Sequence, residues 1–133
     1  MLEMLLLKTD RSTLTQVTSS MKHATDPAPK VRKGAILLLH QNLAGLARGE
    51  KPIQYAMEFL QCYADENNES EKLWGRHWRH IIEASRCWRL ATPFDITAIK
   101  VSSKNYGRGV IRFAYVDTLD AEVIVKNGFL NEA

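Results

Sequence analysis

Cysteine is scarce in this 133-residue sequence, with Cys62 and Cys87 the only two. Their separation matches no metal-ligand spacing, and both fall in segments with a helical pattern. A reduced intracellular pair is therefore expected, with one disulfide as the alternative. Long apolar runs are also lacking. The best, Ala35 to Leu39, has five residues, where a membrane-spanning helix needs about 20. The start, MLEMLLLK, carries Glu3 and only a short apolar run, which argues against a secretory signal and for a cytoplasmic chain.

The motifs of common chemistries are missing as well. No Gly-x-Ser-x-Gly elbow, zinc-ligand helix motif or Cys-x-x-Cys occurs, so neither a hydrolase elbow nor a thiol redox site is expected. Tyr106-Gly107-Arg108-Gly109 resembles a phosphate loop only in its glycines. It lacks the lysine-serine/threonine ending and lies between expected strands, where glycines serve a turn. The acidic run Asp65 to Glu71 has no central glycine and no alternating ligand pattern, so it reads as solvated linker and not as a calcium loop. No cofactor is expected.

What the sequence does have is concentrated between Lys72 and Leu90. All three tryptophans lie there, with Lys72, Arg76, Arg79, Arg86 and Arg89. On a helical wheel, Trp74, Trp78, Ile81, Ile82, Ser85 and Trp88 fall within about −40° to +80°, and Lys72, Arg76, Arg79, Glu83 and Arg86 fall opposite. That pattern predicts an amphipathic helix with its tryptophans in the core and its arginines facing out. Asn68 with Glu71 would cap it, and Thr92-Pro93 would close it.

The remaining chain reads in the same terms. Arg11 to Ala24 has Leu14, Val17 and Met21 at helical spacing, and Thr25 to Pro29 is a turn. Helices are predicted from Pro29 to Arg48 and again from Pro52, joined through Gly49-Glu50-Lys51 as an αα-hairpin. That pair is not a DNA-reading motif, since Glu58, Asp65 and Glu66 would repel phosphate. Beyond Pro93 the period shortens to two. Asp95 to Ser102 and Val110 to Val116 read as strands of a hairpin turning at Ser103 to Gly109. Ala121 to Lys126 reads as a third strand. A helix capped by Asp117 and ended by Asn127-Gly128 is the rival there.

The predicted fold is therefore α+β, in one domain over 1–133. Three to four N-terminal helices occupy about 11–91, followed by a small antiparallel hairpin or three-stranded sheet over about 94–127.

Charge supplies the functional signal. Residues 72–112 hold nine cations against Glu83 and Asp95, a net +7, while 31–71 and 113–133 are net acidic. Such a basic third, carried on a face separate from the core, suits phosphate contact. The expected function is a small nucleic-acid-binding accessory or regulatory protein. Arg76, Arg79 and Arg86 of the helix and Lys104, Tyr106 and Arg108 of the hairpin tip are its expected contacts. The alternative is a non-catalytic protein–protein module that pairs with an acidic partner or with itself. An enzyme ranks third, as a metal-independent nuclease assembled from His77, His80, Tyr106 and Arg112. His77 and His80 do not form a metal site on the wheel, because they and Cys87 do not converge.

Overall fold

The computed structural model describes residues 3–42, 46–101 and 113–132. Its organising element is a sheet of seven strands, β1 (Met4–Thr9), β2 (Lys22–Thr25), β3 (Ile36–Gln41), β4 (Ile53–Ala64), β5 (His80–Phe94), β6 (Phe113–Tyr115) and β7 (Phe129–Glu132). The order is β2-β5-β4-β3-β1-β6, with β7 also paired to β5. β1 and β3 run parallel, and the remaining pairs are antiparallel. Three short helices, α1 (Leu14–Ser20), α2 (Glu69–Trp74) and α3 (Thr118–Asn127), lie among these strands, with 3-10 turns over Arg11–Thr13 and Ile96–Ala98.

The central strands explain the architecture. Leu5, Leu6 and Leu7 are all buried, as are Leu37, Leu38 and Leu39. Successive strand side chains point to opposite faces, so unbroken burial requires a sheet covered on both sides. The packing obeys this alternation. Leu5, Leu7, Leu37 and Leu39 join Val17, Met57 and Ile82 on one face. Met4, Leu6, Ile36 and Leu38 join Ile53, Ala56, Leu90 and Ala121 on the other. Each of these leucines contributes about 1.5–3 kcal/mol by leaving water. α1 covers the first face through Val17 and Leu14, and α3 covers the second through Ala121 and Ile124.

The predicted helical bundle is overturned. Within the expected Pro29–Arg48 helix, Pro29 to Ala35 is a loop and Ile36–Gln41 is β3, and the segment after Pro52 is β4, so the expected αα-hairpin is an antiparallel strand pair. The Lys72–Leu90 helix is also absent. Its first residues end α2, and most of the rest is the long strand β5. The physical reason is two-sided burial. A strand with apolar residues on consecutive positions shows no period of two, and irregular pairings between β4 and β5 shift the alternation further.

The expected 95–102 strand is instead the 3-10 turn at Ile96–Ala98, followed by a single bridge from Val101 to Val116. Ala121 to Lys126 lies in α3, as the rival reading had it. Asp117 accepts a hydrogen bond from the Leu119 amide, and the Gly128 amide closes on the Val125 carbonyl. Part of Arg11–Ala24 is helical, as α1, and Val110–Val116 holds β6. The hairpin tip at 103–109 lies outside the described residues. Cys62 and Cys87 are both free. Among the described residues, no helix is long and apolar enough to cross a membrane.

Candidate functional site

The connection between β4 and β5 is the most elaborate loop among the described residues. It is closed at its base, where the Asp65 amide donates to the Arg79 carbonyl at 2.8 Å. Within it α2 ends at Gly75, whose φ of 75° is a left-handed value that favours glycine. The chain then reverses and lays Trp74, Arg76 and Trp78 against the β1–α1–β2 segment. Between these two segments is a cavity of about 110 Å³ lined by Asp10, Thr13, Val17, His23, Ala24, Trp74, Arg76 and Trp78.

Each wall has a distinct origin. Trp78 is nearly buried and packs with Ala24 and Ile81. The Arg76 guanidinium lies over its ring, 4.0 Å from the centroid, an arrangement that orients the planar cation while leaving its edges to donate. Asp10 accepts from Asn42 Nδ2 at 2.7 Å, and the Thr13 hydroxyl donates to the Asp10 carbonyl.

His23 is buried, with Nε2 3.1 Å from the Thr9 hydroxyl oxygen. That hydroxyl donates to the Leu7 carbonyl, and the Ala24 amide donates to His23 Nδ1 at 2.8 Å. A consistent set has Nε2 donating and Nδ1 accepting, so both ring nitrogens are engaged within the protein. Trp74 differs: its Nε1 is buried and has no hydrogen-bond partner among the described residues.

Two networks hold the loop. Asp65 is buried at its head. Its carboxylate accepts from the Glu69 amide at 2.8 Å, from the Ser70 amide at 3.0 Å and from the Ser70 hydroxyl. The Ser70 oxygen in turn accepts from the Trp78 amide at 2.8 Å. Burial pushes the Asp65 carboxyl up, but the Ser70 and Glu69 hydrogen bonds, with His77 at 3.7 Å, outweigh it and hold the pKa below the ordinary aspartate value. The second network ties α2 to the sheet. Glu69 accepts from the Tyr63 hydroxyl at 2.6 Å and from Lys22 Nζ at 3.0 Å. These bonds lower the Glu69 carboxyl, and the Glu69 bond leads the rise at Lys22.

Of the residues expected to contact nucleic acid, Arg76 lines the cavity and Arg79 is exposed at the loop's end, where its amide donates to Asp26 Oδ1 at 3.2 Å. Arg86 is not brought to them. It lies on β5 over Trp88, 4.9 Å from the ring centroid, and Trp88 packs with the opposite sheet face. Lys104, Tyr106 and Arg108 lie outside the described residues. The single tryptophan stripe is likewise corrected: Trp74 and Trp78 belong to the cavity side, and Trp88 to the other.

For the nuclease alternative, His77 faces Asp65, and His80 Nδ1 lies 2.6 Å from the Asp26 carbonyl, while Tyr106 and Arg112 are outside the described residues. No cluster of three or more metal-ligating His, Cys, Asp or Glu occurs among the described residues.

Sequence reasoning missed Asp10, Thr13 and His23, and it put Trp74 and Trp78 in one core stripe where the structure has them lining the cavity. Only the Trp-x-Arg-x-Trp spacing at 74–78 signalled them. The chain matches no protein-family model and no curated protein.

Proposed function

We propose that the protein binds single-stranded nucleic acid. The slot lined by Trp74 and Trp78 receives one unpaired base, and Arg76 and Arg79 contact the adjoining phosphates. The observation that carries this reading is the unpartnered Nε1 of Trp74, buried on a residue that lines the slot. A buried N–H without an acceptor is unfavourable by about 1–3 kcal/mol, and the carbonyl oxygens and ring nitrogens of bases are acceptors of the needed kind. Aromatic walls add stacking, worth about 1–3 kcal/mol per base. The Arg76 guanidinium, stacked on Trp78 at the slot's wall, supports the reading by offering its edges to a phosphate beside the base.

The test is fluorescence anisotropy with labelled single-stranded DNA and RNA at two salt concentrations, each compared with the same strand carrying one abasic position. Binding that weakens with salt, and weakens again without the base, supports the reading. No binding at low salt ends it.

A protein–protein role rests on a different feature, the exposure of Leu119 and Val123 on α3. It predicts a mass that rises with concentration in sedimentation and returns to one chain with Leu119→Ser.

A further inference from the structure

The slot's outer wall comes from a loop, and loops do not hold two tryptophans and an arginine in register without internal support. Trp74 and Trp78 flank a left-handed glycine, and no strand pairing includes 69–79. What joins the two ends of this wall is Ser70. Its hydroxyl donates to the buried Asp65 and accepts the Trp78 amide at 2.8 Å, so a single oxygen links the loop's base to the residue at its far wall. Ser70 itself is fully buried and does not line the slot.

We infer that Asp65 and Ser70 are positioning residues of the base slot: the Asp65–Ser70–Trp78 clasp sets the place of Trp78 as the slot's aromatic wall. This inference rests on the slot reading above for its ligand, but its structural half stands apart from any ligand. Capping α2 needs only the two amide bonds to Asp65 from Glu69 and Ser70. The hydroxyl adds the reach to Trp78, which the helix does not require.

The Arg79 carbonyl is held by the Asp65 backbone amide and not by the Ser70 hydroxyl, so loss of that hydroxyl separates base recognition from phosphate attraction. A uniform loss of stability would weaken both alike.

The experiment uses the full chain with Ser70→Ala, against wild type. Folding is checked by circular dichroism. Acrylamide quenching of tryptophan fluorescence is measured without ligand in a Trp88→Phe background, which leaves Trp74 and Trp78 as the reporters. Anisotropy then compares the intact and abasic strands across a salt series.

The expected result is a folded variant with quenching above wild type, an affinity gain from the base reduced about tenfold, and an unchanged salt slope. Wild-type quenching together with a wild-type gain from the base overturns the inference. So does a parallel loss for intact and abasic strands, which marks a purely structural serine. If Ser70→Ala does not fold, Ser70→Cys, which keeps a weaker acceptor of similar shape, is read by the same criteria. Failure of both to fold also overturns the inference, since the hydroxyl then serves the fold as a whole. A wild-type protein that binds intact and abasic strands equally removes the slot reading instead, and the ligand-free quenching then decides the clasp by itself.

Discussion

Two cavities among the described residues lie on opposite faces of the sheet and are built from different materials. The first is the tryptophan slot, about 110 Å³, with Asp10, Thr13, His23 and Arg76 among its walls. The second, about 200 Å³, lies between the end of β5 and α3 and is walled largely by Leu90, Phe94, Ala98, Ile99, Val123 and Ile124, with Asp120 and Thr92 as its polar side chains. Asp120 there is engaged by the Lys100 amide at 2.7 Å. Among its described lining residues the second cavity thus has apolar surface without a buried unpartnered donor or a cation, whereas the first has both. Size is therefore a poor guide to recognition, which depends on a few polar groups held in place by others. The Asp65 and Glu69 networks hold one wall of the slot in this way.

The sharpest test of the contrast is truncation on each side. Trp78→Ala should lower stability by about 3–5 kcal/mol in urea denaturation and remove the difference between intact and abasic strands. Leu90→Ala, on the second cavity, should lower stability by about 2–5 kcal/mol yet leave that difference intact in the folded fraction. If Leu90→Ala abolishes base discrimination as fully, the two regions are not functionally distinct.

Next comes Trp74→Phe, which keeps a ring and removes the orphan N–H. Affinity for the intact strand should fall about tenfold, as for one lost buried hydrogen bond. Stability of the free protein should hold or rise by up to about 1 kcal/mol, because a buried unpaired donor has gone. A loss of stability with unchanged affinity would mean that Nε1 is satisfied within the protein.

Arg76→Ala and Arg79→Ala should each reduce the slope of log affinity against log salt by about one. Arg86→Ala, on the other face, should not.

The pH dependence follows from Asp65. Its carboxyl lies below the ordinary aspartate value in the folded state, so its contribution to stability is complete above that ordinary value. It is lost as pH falls through the depressed one. Thermal unfolding across acid pH should show this decline, and Asp65→Asn should remove that part of it. The smallest effect is expected at the rim of the second cavity. Val123→Ser, at a position 58% exposed, should change stability by no more than about 0.5 kcal/mol and leave nucleic-acid binding as it was.

How much of this was legible beforehand differs from one element to the next. α3 was visible as an alternative, because Asp117 and Gly128 are local signals that act within one turn of chain. α1 was visible inside a longer expected helix, since Val17 and Leu14 keep their spacing. β3 was not, because Ile36 to Leu39 are buried in succession, and such a run cannot be told by periodicity from a helix segment buried all round. β5 misled most. Its isoleucines and Trp88, with Trp74 and Trp78 just before them, imitate a helical stripe, yet Ile82 packs with the first face and Trp88 with the second. The arginines show the same division: the wheel grouped Arg76, Arg79 and Arg86, and the strand separates Arg86 from the others.

The sequence by itself determined the local pieces: two thiols without a metal-type spacing, a charge surplus confined to 72–112, the cap of α3, and three tryptophans and their cations close along the chain. Each of these depends on composition or on neighbours a few residues apart. Only the tertiary structure decided that Leu5 to Leu7 and Leu37 to Leu39 pair as parallel strands covered on both faces. It alone brought Asp10, Thr13 and His23 opposite Trp74 and Trp78. Those contacts join residues more than fifty positions apart. Their stability comes from burying apolar surface between distant segments, a long-range effect that local periodicity does not encode.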